Sequence, residues 1–329
     1  MNDAGNFVTP VFVFSLPRSG STMTQRLLAT HPEIETASET WILLPLLYST
    51  RREGVYSEYS HRTAFRAIED FCSDLPGGSS DYLQEIKEFA LRLYARKSKS
   101  KARYFVDKTP RYHVLAPDIM RMFPESPIVF LWRNPLAIIA SMIETWGKGR
   151  WNVYEFEFDL FDGLDGLIAA FQRVDGRVCS IRYEDLVGDD SATRERLFRH
   201  LGLAYDDSIA AGFSNVRLTG RMGDQAGSRN YFALSLEPGE KWRKVLASPV
   251  RKMWCRRYLL WIGKERLKLM GYELDALLRD LETMPVSLRT VPSDLARMLF
   301  GLVVRTCEPW LVRDKIAWLR RGKRLHVHR

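Results

Sequence analysis

Several features that define other protein classes are missing from this chain of 329 residues. Its four cysteines, Cys72, Cys179, Cys255 and Cys307, include no C-x-x-C pair. Thiols scattered in this way suggest neither a zinc site nor a disulfide framework, and they fit a reducing compartment. No window approaches the roughly 20 apolar residues that a membrane-spanning helix needs. The opening MNDAGNF has no basic segment followed by an apolar one, so no secretory leader is expected and the expected location is cytoplasmic. There is no internal repeat and no low-complexity linker. No basic stripe alternates with aromatics and no nucleic-acid-binding module pattern occurs, so a nucleic-acid partner is not expected.

An apolar fraction of 46% is ample for a buried core, and a net charge of +9 favours an acidic partner or cofactor. Short apolar runs at Val11 to Ser15, Tyr104 to Val106, Ile128 to Trp132 and Val178 to Tyr183 each lead into a loop followed by helical sequence. Strands alternating with helices predict an α/β fold: a parallel sheet with helices on both faces. The stretch from about 40 to 101 has mostly helical spacing, broken at LPGGSSD, and is expected to cap the sheet's binding edge. After Trp242 the pattern is amphipathic helix, punctuated by Pro285 and Pro292. The expected organisation is a main domain over 1–275 and a helical extension over 276–329.

The stretch VFVFSLPRSGSTM, Val11 to Met23, reads as strand, tight loop and helix start. Small residues there let backbone N–H groups turn inward, and the helix N-terminus adds a partial positive charge, so an anion is held without a side-chain cation. Against the nucleotide pattern G-x-x-x-x-G-K-[ST], Gly20 and Thr22 fit, but Ser21 stands where the Lys belongs and the loop's one cation is Arg18. Magnesium-dependent triphosphate chemistry, as in a P-loop kinase or other nucleotide phosphotransferase, is the disfavoured alternative. A second segment, IVFLWRNPLAIIASM, ends a strand at Arg133, starts a helix at Pro135, and brings Ser141 two turns along.

LPRSGST and R-N-P-x-x-x-x-x-S together resemble the sulfotransferases that use 3'-phosphoadenosine 5'-phosphosulfate (PAPS), over roughly Val11 to Met270. By that resemblance Arg18, Ser19, Gly20, Ser21 and Thr22 bind the 5'-phosphosulfate, while Arg133 and Ser141 bind the 3'-phosphate. The resemblance also implies a P-loop-like sulfotransferase fold, release of PAP as product, and no metal. SIRYEDLV resembles the family's R-Y-E-D/E-L segment and makes Tyr183 the candidate contact to the nucleotide half; Glu184 and Asp185 are expected to cap the helix and pair with Arg. Arg229, Lys241 and Trp242 fall where relatives carry a basic loop over the cofactor, although the spacing departs from the R-K-G form.

Transfer to a hydroxyl needs a base for its proton and positive charge near the bridging oxygen. Relatives carry a Glu near the position of Glu39 in A-S-E-T, and a K-x-P that matches Lys108. Glu39 is therefore the candidate base and Lys108 the leaving-oxygen group. A Glu that merely favours a helix dipole is the competing account of Glu39, and His113 is the alternative base. The expected acceptor is a small molecule, glycan or lipid, with Trp41, Trp146, Trp151 and Tyr154 open to either stacking or core roles. The C-terminal segment LARMLFGLVVRTCEPWLVRDKIAWLRRGKRL mixes apolar and basic residues at helical spacing. It is expected to pack on the core; a dimer contact and peripheral contact with an anionic membrane are the alternatives.

Overall fold

The computed structural model describes residues 8–99, 101–173, 178–188, 191–206, 209, 211–220, 222, 241–307 and 309–321. At its centre is a five-stranded sheet built from β1 (Thr9–Phe14), β2 (Ile34–Thr36), β3 (Tyr104–Asp107), β4 (Ile128–Trp132) and β5 (Val178–Arg182). The strand order is β2-β3-β1-β4-β5 and every pairing is parallel. The four strands expected from the sequence are present. The edge strand β2 is an addition: three residues, IET, are too few to show a period of two.

Chain direction explains which helix covers which face. The crossover from β1 to β2, through α1 (Ser21–Leu28), runs one way across the sheet. The later crossovers run the other way, through α2 (Leu43–Tyr48), α3 (His61–Ser73), α4 (Ser79–Lys97), α5 (Ala116–Met122), α6 (Pro135–Thr145) and α7 (Leu164–Phe171). Right-handed connections therefore place α1 on one face and these helices on the other. Side chains alternate to match: Val11, Val13 and Val129 join Met23 and Leu27 in one cluster, with Leu197 and Phe198 of α8 (Ala192–His200). Phe12, Phe14, Phe105 and Phe130 point into the larger cluster opposite. The reversal of direction at β1 opens a crevice above the strand ends beside β4, where such folds hold ligands.

In the stretch from 40 to 101, α4 buries Ile86, Ala90 and Tyr94, and the Tyr94 ring stacks on Phe105 of β3 with centroids 4.7 Å apart. This helix thus covers a sheet face as well as extending beyond it.

The chain continues through α9 (Lys241–Val245), α10 (Pro249–Ile262), α11 (Lys264–Leu269), α12 (Leu274–Thr283), α13 (Val291–Cys307) and α14 (Pro309–Arg320). Leu277 and Leu281 of α12 enter the larger core. One ion pair fastens α13 to α10. Arg251 donates from Nε to Asp294 Oδ2 at 2.9 Å and from Nη2 to Asp294 Oδ1 at 2.8 Å, with side chains only 4% and 0% exposed. The guanidinium also reaches the carbonyls of Val245 and Gly149, so four of its five N–H donors are used. Removing one partner strands the other charge in the interior, at a cost of about 3–5 kcal/mol. Asp294→Ala is therefore expected to lower unfolding free energy by about that amount in denaturant titration. Arg251→Met combined with Asp294→Leu should lose less than the single variant; an equal or larger loss would show that packing, not the stranded charge, sets the cost.

Candidate active site

The ends of β1, β3, β4 and β5 and the segment after β2 converge on the crevice. The loop after β1 turns through two residues with left-handed backbone, Arg18 at φ 66° and Gly20 at φ 90°. Gly20 is needed twice over. Its φ favours glycine, and a Cβ there would stand 2.3 Å from the Tyr183 ring. No side chain caps α1, which leaves its first-turn N–H groups facing the loop.

Arg133, at the end of β4, donates from Nη1 to the carbonyl of Arg18 at 2.7 Å, and its guanidinium lies over the Tyr183 ring, 4.5 Å from the centroid. Arg18 Nε donates to Ser141 Oγ at 3.1 Å, so the β1 loop and α6 are joined directly. Arg18, Gly20, Arg133, Ser141 and Tyr183, chosen from separate segments of sequence, thus form one contact network. Two polar atoms in it are buried without a hydrogen-bond partner among the described residues: Ser19 Oγ and Arg133 Nε. Burying a donor unpaired costs about 1–3 kcal/mol, so both atoms are candidates for contact with a bound group. Asp185 pairs with Arg182, whereas Glu184 accepts the N–H of Asn134 at 2.9 Å and the hydroxyl of Tyr272 at 2.6 Å.

The second cluster lies at the end of β3. Lys108 is 1% exposed; its Nζ reaches Glu39 Oε1 at 3.0 Å and Thr22 Oγ1 at 3.3 Å. The other oxygen of Glu39 accepts from Trp41 Nε1 at 3.1 Å. Thr22 therefore bridges the anion loop to the Lys108–Glu39 pair. What holds Glu39 there is a carboxylate one residue before Lys108. Asp107 is fully buried and accepts from Thr40 Oγ1 at 2.7 Å, Tyr94 OH at 2.6 Å and Tyr112 OH at 3.1 Å. Burial pushes its pKa up, opposed by these three hydrogen bonds and by the charge of Lys108. Burial and the neighbouring carboxylate raise the Tyr94 and Tyr112 hydroxyls well above the usual phenol range, so both remain donors. Trp41 N donates to Thr109 Oγ1 and Leu43 N to Tyr112 OH, which ties the rest of the segment down.

His113 belongs to different contacts. It is fully buried, its Nε2 lies 2.7 Å from Asp159 Oδ1, and a Cβ on Gly163 would touch its ring at 3.0 Å. Asp159 begins a π-helical turn, Asp159–Gly163, ahead of α7. Trp151 is a core residue, 2% exposed, and Tyr154 packs edge-on against Phe300. Trp242 packs partly buried against the larger core on α9, beside α6, with Arg243 5.4 Å from its ring centroid. Arg229 and the side chain of Lys241 lie outside the described residues. The chain leading toward Arg229 passes Ser38, whose N–H donates to the Thr219 carbonyl at 2.9 Å. Asp107, Thr40, Tyr94 and Tyr112 were not among the residues expected from sequence. The one available sign was an acid closing an apolar strand in YFVDK.

A family model described as the sulfotransferase family matches residues 10–207. The chain is 32% identical over 137 residues to the nodulation protein NoeE of Sinorhizobium fredii, the match covering 41% of this chain and 31% of that protein. It is 26% identical over 128 residues to omega-hydroxy-beta-dihydromenaquinone-9 sulfotransferase Stf3 of Mycobacterium bovis, covering 35% and 32%. These matches span about a third of each relative's length. Among solved structures, the sulfotransferase domain from the Synechococcus PCC 7002 olefin synthase aligns with TM-score 0.50 and 24% identity, over 74% of this chain and 90% of that one.

The Asp107 cluster yields a graded expectation. Tyr94→Phe removes one hydrogen bond and should cost about 1 kcal/mol, whereas Asp107→Ala removes the acceptor of three hydroxyls and should cost about 3 kcal/mol or more. Equal losses for the two in denaturant titration would show that the carboxylate does not organise the cluster.

Proposed function

The chain belongs to the sulfotransferase family, and on that footing we propose that it moves a sulfuryl group from PAPS to an acceptor hydroxyl. When bound, PAPS supplies that group and departs as PAP. The observation that carries the donor assignment is the pair of buried, unpartnered atoms, Ser19 Oγ and Arg133 Nε. They lie in the two segments that the family resemblance assigns to two separate phosphates, and no protein group among the described residues hydrogen-bonds to either atom. The residues present thus fit a ligand with two anionic groups.

In this reading Arg18, Ser19, Gly20, Ser21 and Thr22 hold the phosphosulfate end through backbone N–H groups and hydroxyls. Arg133 and Ser141 hold the 3'-phosphate. Tyr183, wedged between Gly20 and Arg133, orients both anion sites relative to each other. Arg229 and Trp242 are assigned to closing over the nucleotide. Lys108 Nζ, anchored between Thr22 and Glu39, puts fixed positive charge where the bridging oxygen gains negative charge. Glu39 takes the acceptor hydroxyl proton. Its carboxylate is preorganised by Lys108 and Trp41, and the half-exposed Trp41 indole gives the acceptor an apolar wall. A small molecule, glycan or lipid alcohol meets that requirement; the relative Stf3 is named for a hydroxylated menaquinone. The buried Asp159 contact and complete burial of His113 favour Glu39 over it as the base.

PAP is expected to raise the melting temperature in EDTA, since the donors are protein groups; a ligand at a hundredfold excess over Kd stabilises by about 2.7 kcal/mol. Arg133→Ala should abolish most of that shift. Stabilisation by Mg-ATP but not PAP would overturn the donor assignment. With labelled PAPS and a panel of hydroxyl acceptors, Glu39→Gln should lower kcat by about 10² to 10⁴ while PAP affinity stays nearly unchanged. If Glu39→Gln were nearly fully active and His113→Ala, still folded, were not, the proton would have to go to the histidine.

A further inference from the structure

Helix α13 is amphipathic in the reverse sense. Its three charged side chains all engage the body of the protein: Asp294 with Arg251, Arg297 with Asn152, and Arg305 with Glu157. Its buried stripe is narrow, consisting of Asp294, Gly301 and Val304. At about 100° per residue, the opposite side is formed by Leu295, Leu299, Leu302 and Val303, with Phe300 at its edge against the Tyr154 ring. In that order they are 48%, 67%, 58%, 51% and 48% exposed, and no charged residue lies among them. Helix α14 continues the pattern with Val312, Ile316 and Leu319 exposed at i, i+4 and i+7. An uncharged apolar face of this extent normally has something against it.

Charge decides between the occupants. Residues 309–329 carry seven Arg or Lys and one Asp. Arg313, Lys315, Arg320 and Arg321 are exposed on or beside α14. A two-fold pairing of copies through this face would bring two such basic segments together, because an isologous interface repeats the same patch on both sides. An anionic lipid surface instead matches apolar side chains to the acyl boundary and cations to the phosphates. Neighbouring features agree. A cavity of about 380 Å³ opens between α10 and α13, walled chiefly by Trp151, Tyr154, Trp254, Tyr258 and Trp261. Trp261 is 37% exposed at its edge, and Arg257 beside it has no ionic partner among the described residues. Indole and guanidinium side by side suit the headgroup level of a bilayer. No helix among the described residues is long and apolar enough to cross one.

We propose that the α13–α14 face docks in the plane of an anionic bilayer surface. The test uses the full chain in flotation with phosphatidylcholine vesicles, with and without phosphatidylglycerol. Binding should require phosphatidylglycerol and fall about tenfold or more when salt is raised from low to molar concentration. Leu299→Asp with Leu302→Asp should lower partition into phosphatidylglycerol vesicles about tenfold or more, with melting temperature and PAP binding unchanged because both sites are exposed. Arg320→Glu with Arg321→Glu should do the same through charge alone. Flotation that survives both double variants would overturn the proposal. So would absence of flotation together with a dimer in sedimentation that Leu299→Asp and Leu302→Asp dissolve, which would assign the face to a second copy.

Discussion

The site depends on one buried carboxylate. Asp107 closes β3 with no exposed surface and gathers hydroxyls from α4, from the segment after β2 and from the turn after Pro110. A carboxylate so placed accepts several donors and can donate none once ionised, so the segments around it must supply donors, here three hydroxyls. Thr40 is the consequential partner, because fixing it fixes Glu39 beside Lys108. The Glu39–Lys108 contact is thus set by a residue that takes no part in it.

The loops that rim the crevice are organised differently. There the backbone is bent into place: Arg18 at φ 66° and Trp41 at φ 56° occupy left-handed conformations that cost a non-glycine residue roughly 1–2 kcal/mol each. Arg133 offsets part of this by bonding the Arg18 carbonyl, and Thr109 does so for Trp41 by accepting its N–H. Both bent residues flank the same crevice. Thr22, shared between the loop and Lys108, is the point at which the two halves meet.

Local patterns were legible in the sequence and long-range closure was not. LPRSGST and RNPLAIIAS carry their own loop and helix signals within a dozen residues, so both could be read directly as the turn from a strand into a helix. Asp107 has partners 13 and 67 positions away, and only the folded sheet shows that they meet. Strand β2 was missed because its three residues owe their conformation to pairing with β3. The segment over α13 revealed helical spacing, but periodicity does not say which side turns inward. There the expectation of packing on the core captured the Asp294 stripe and not the apolar face left outside.

The adjacency of Asp107 and Lys108 has a consequence for how the chain can change over evolution. Successive residues at a strand end point to opposite sides, and here one side is the hydroxyl cluster and the other the Glu39 contact. Apolar substitutions within 104–106 leave that division intact. An insertion or deletion of a single residue would exchange the two, placing an ammonium among tyrosines and a second carboxylate against Glu39. Ahead of Asp107 the strand can exchange one apolar residue for another but is locked in length, so in homologous sequences gaps should collect in the surrounding helices and stop at its borders.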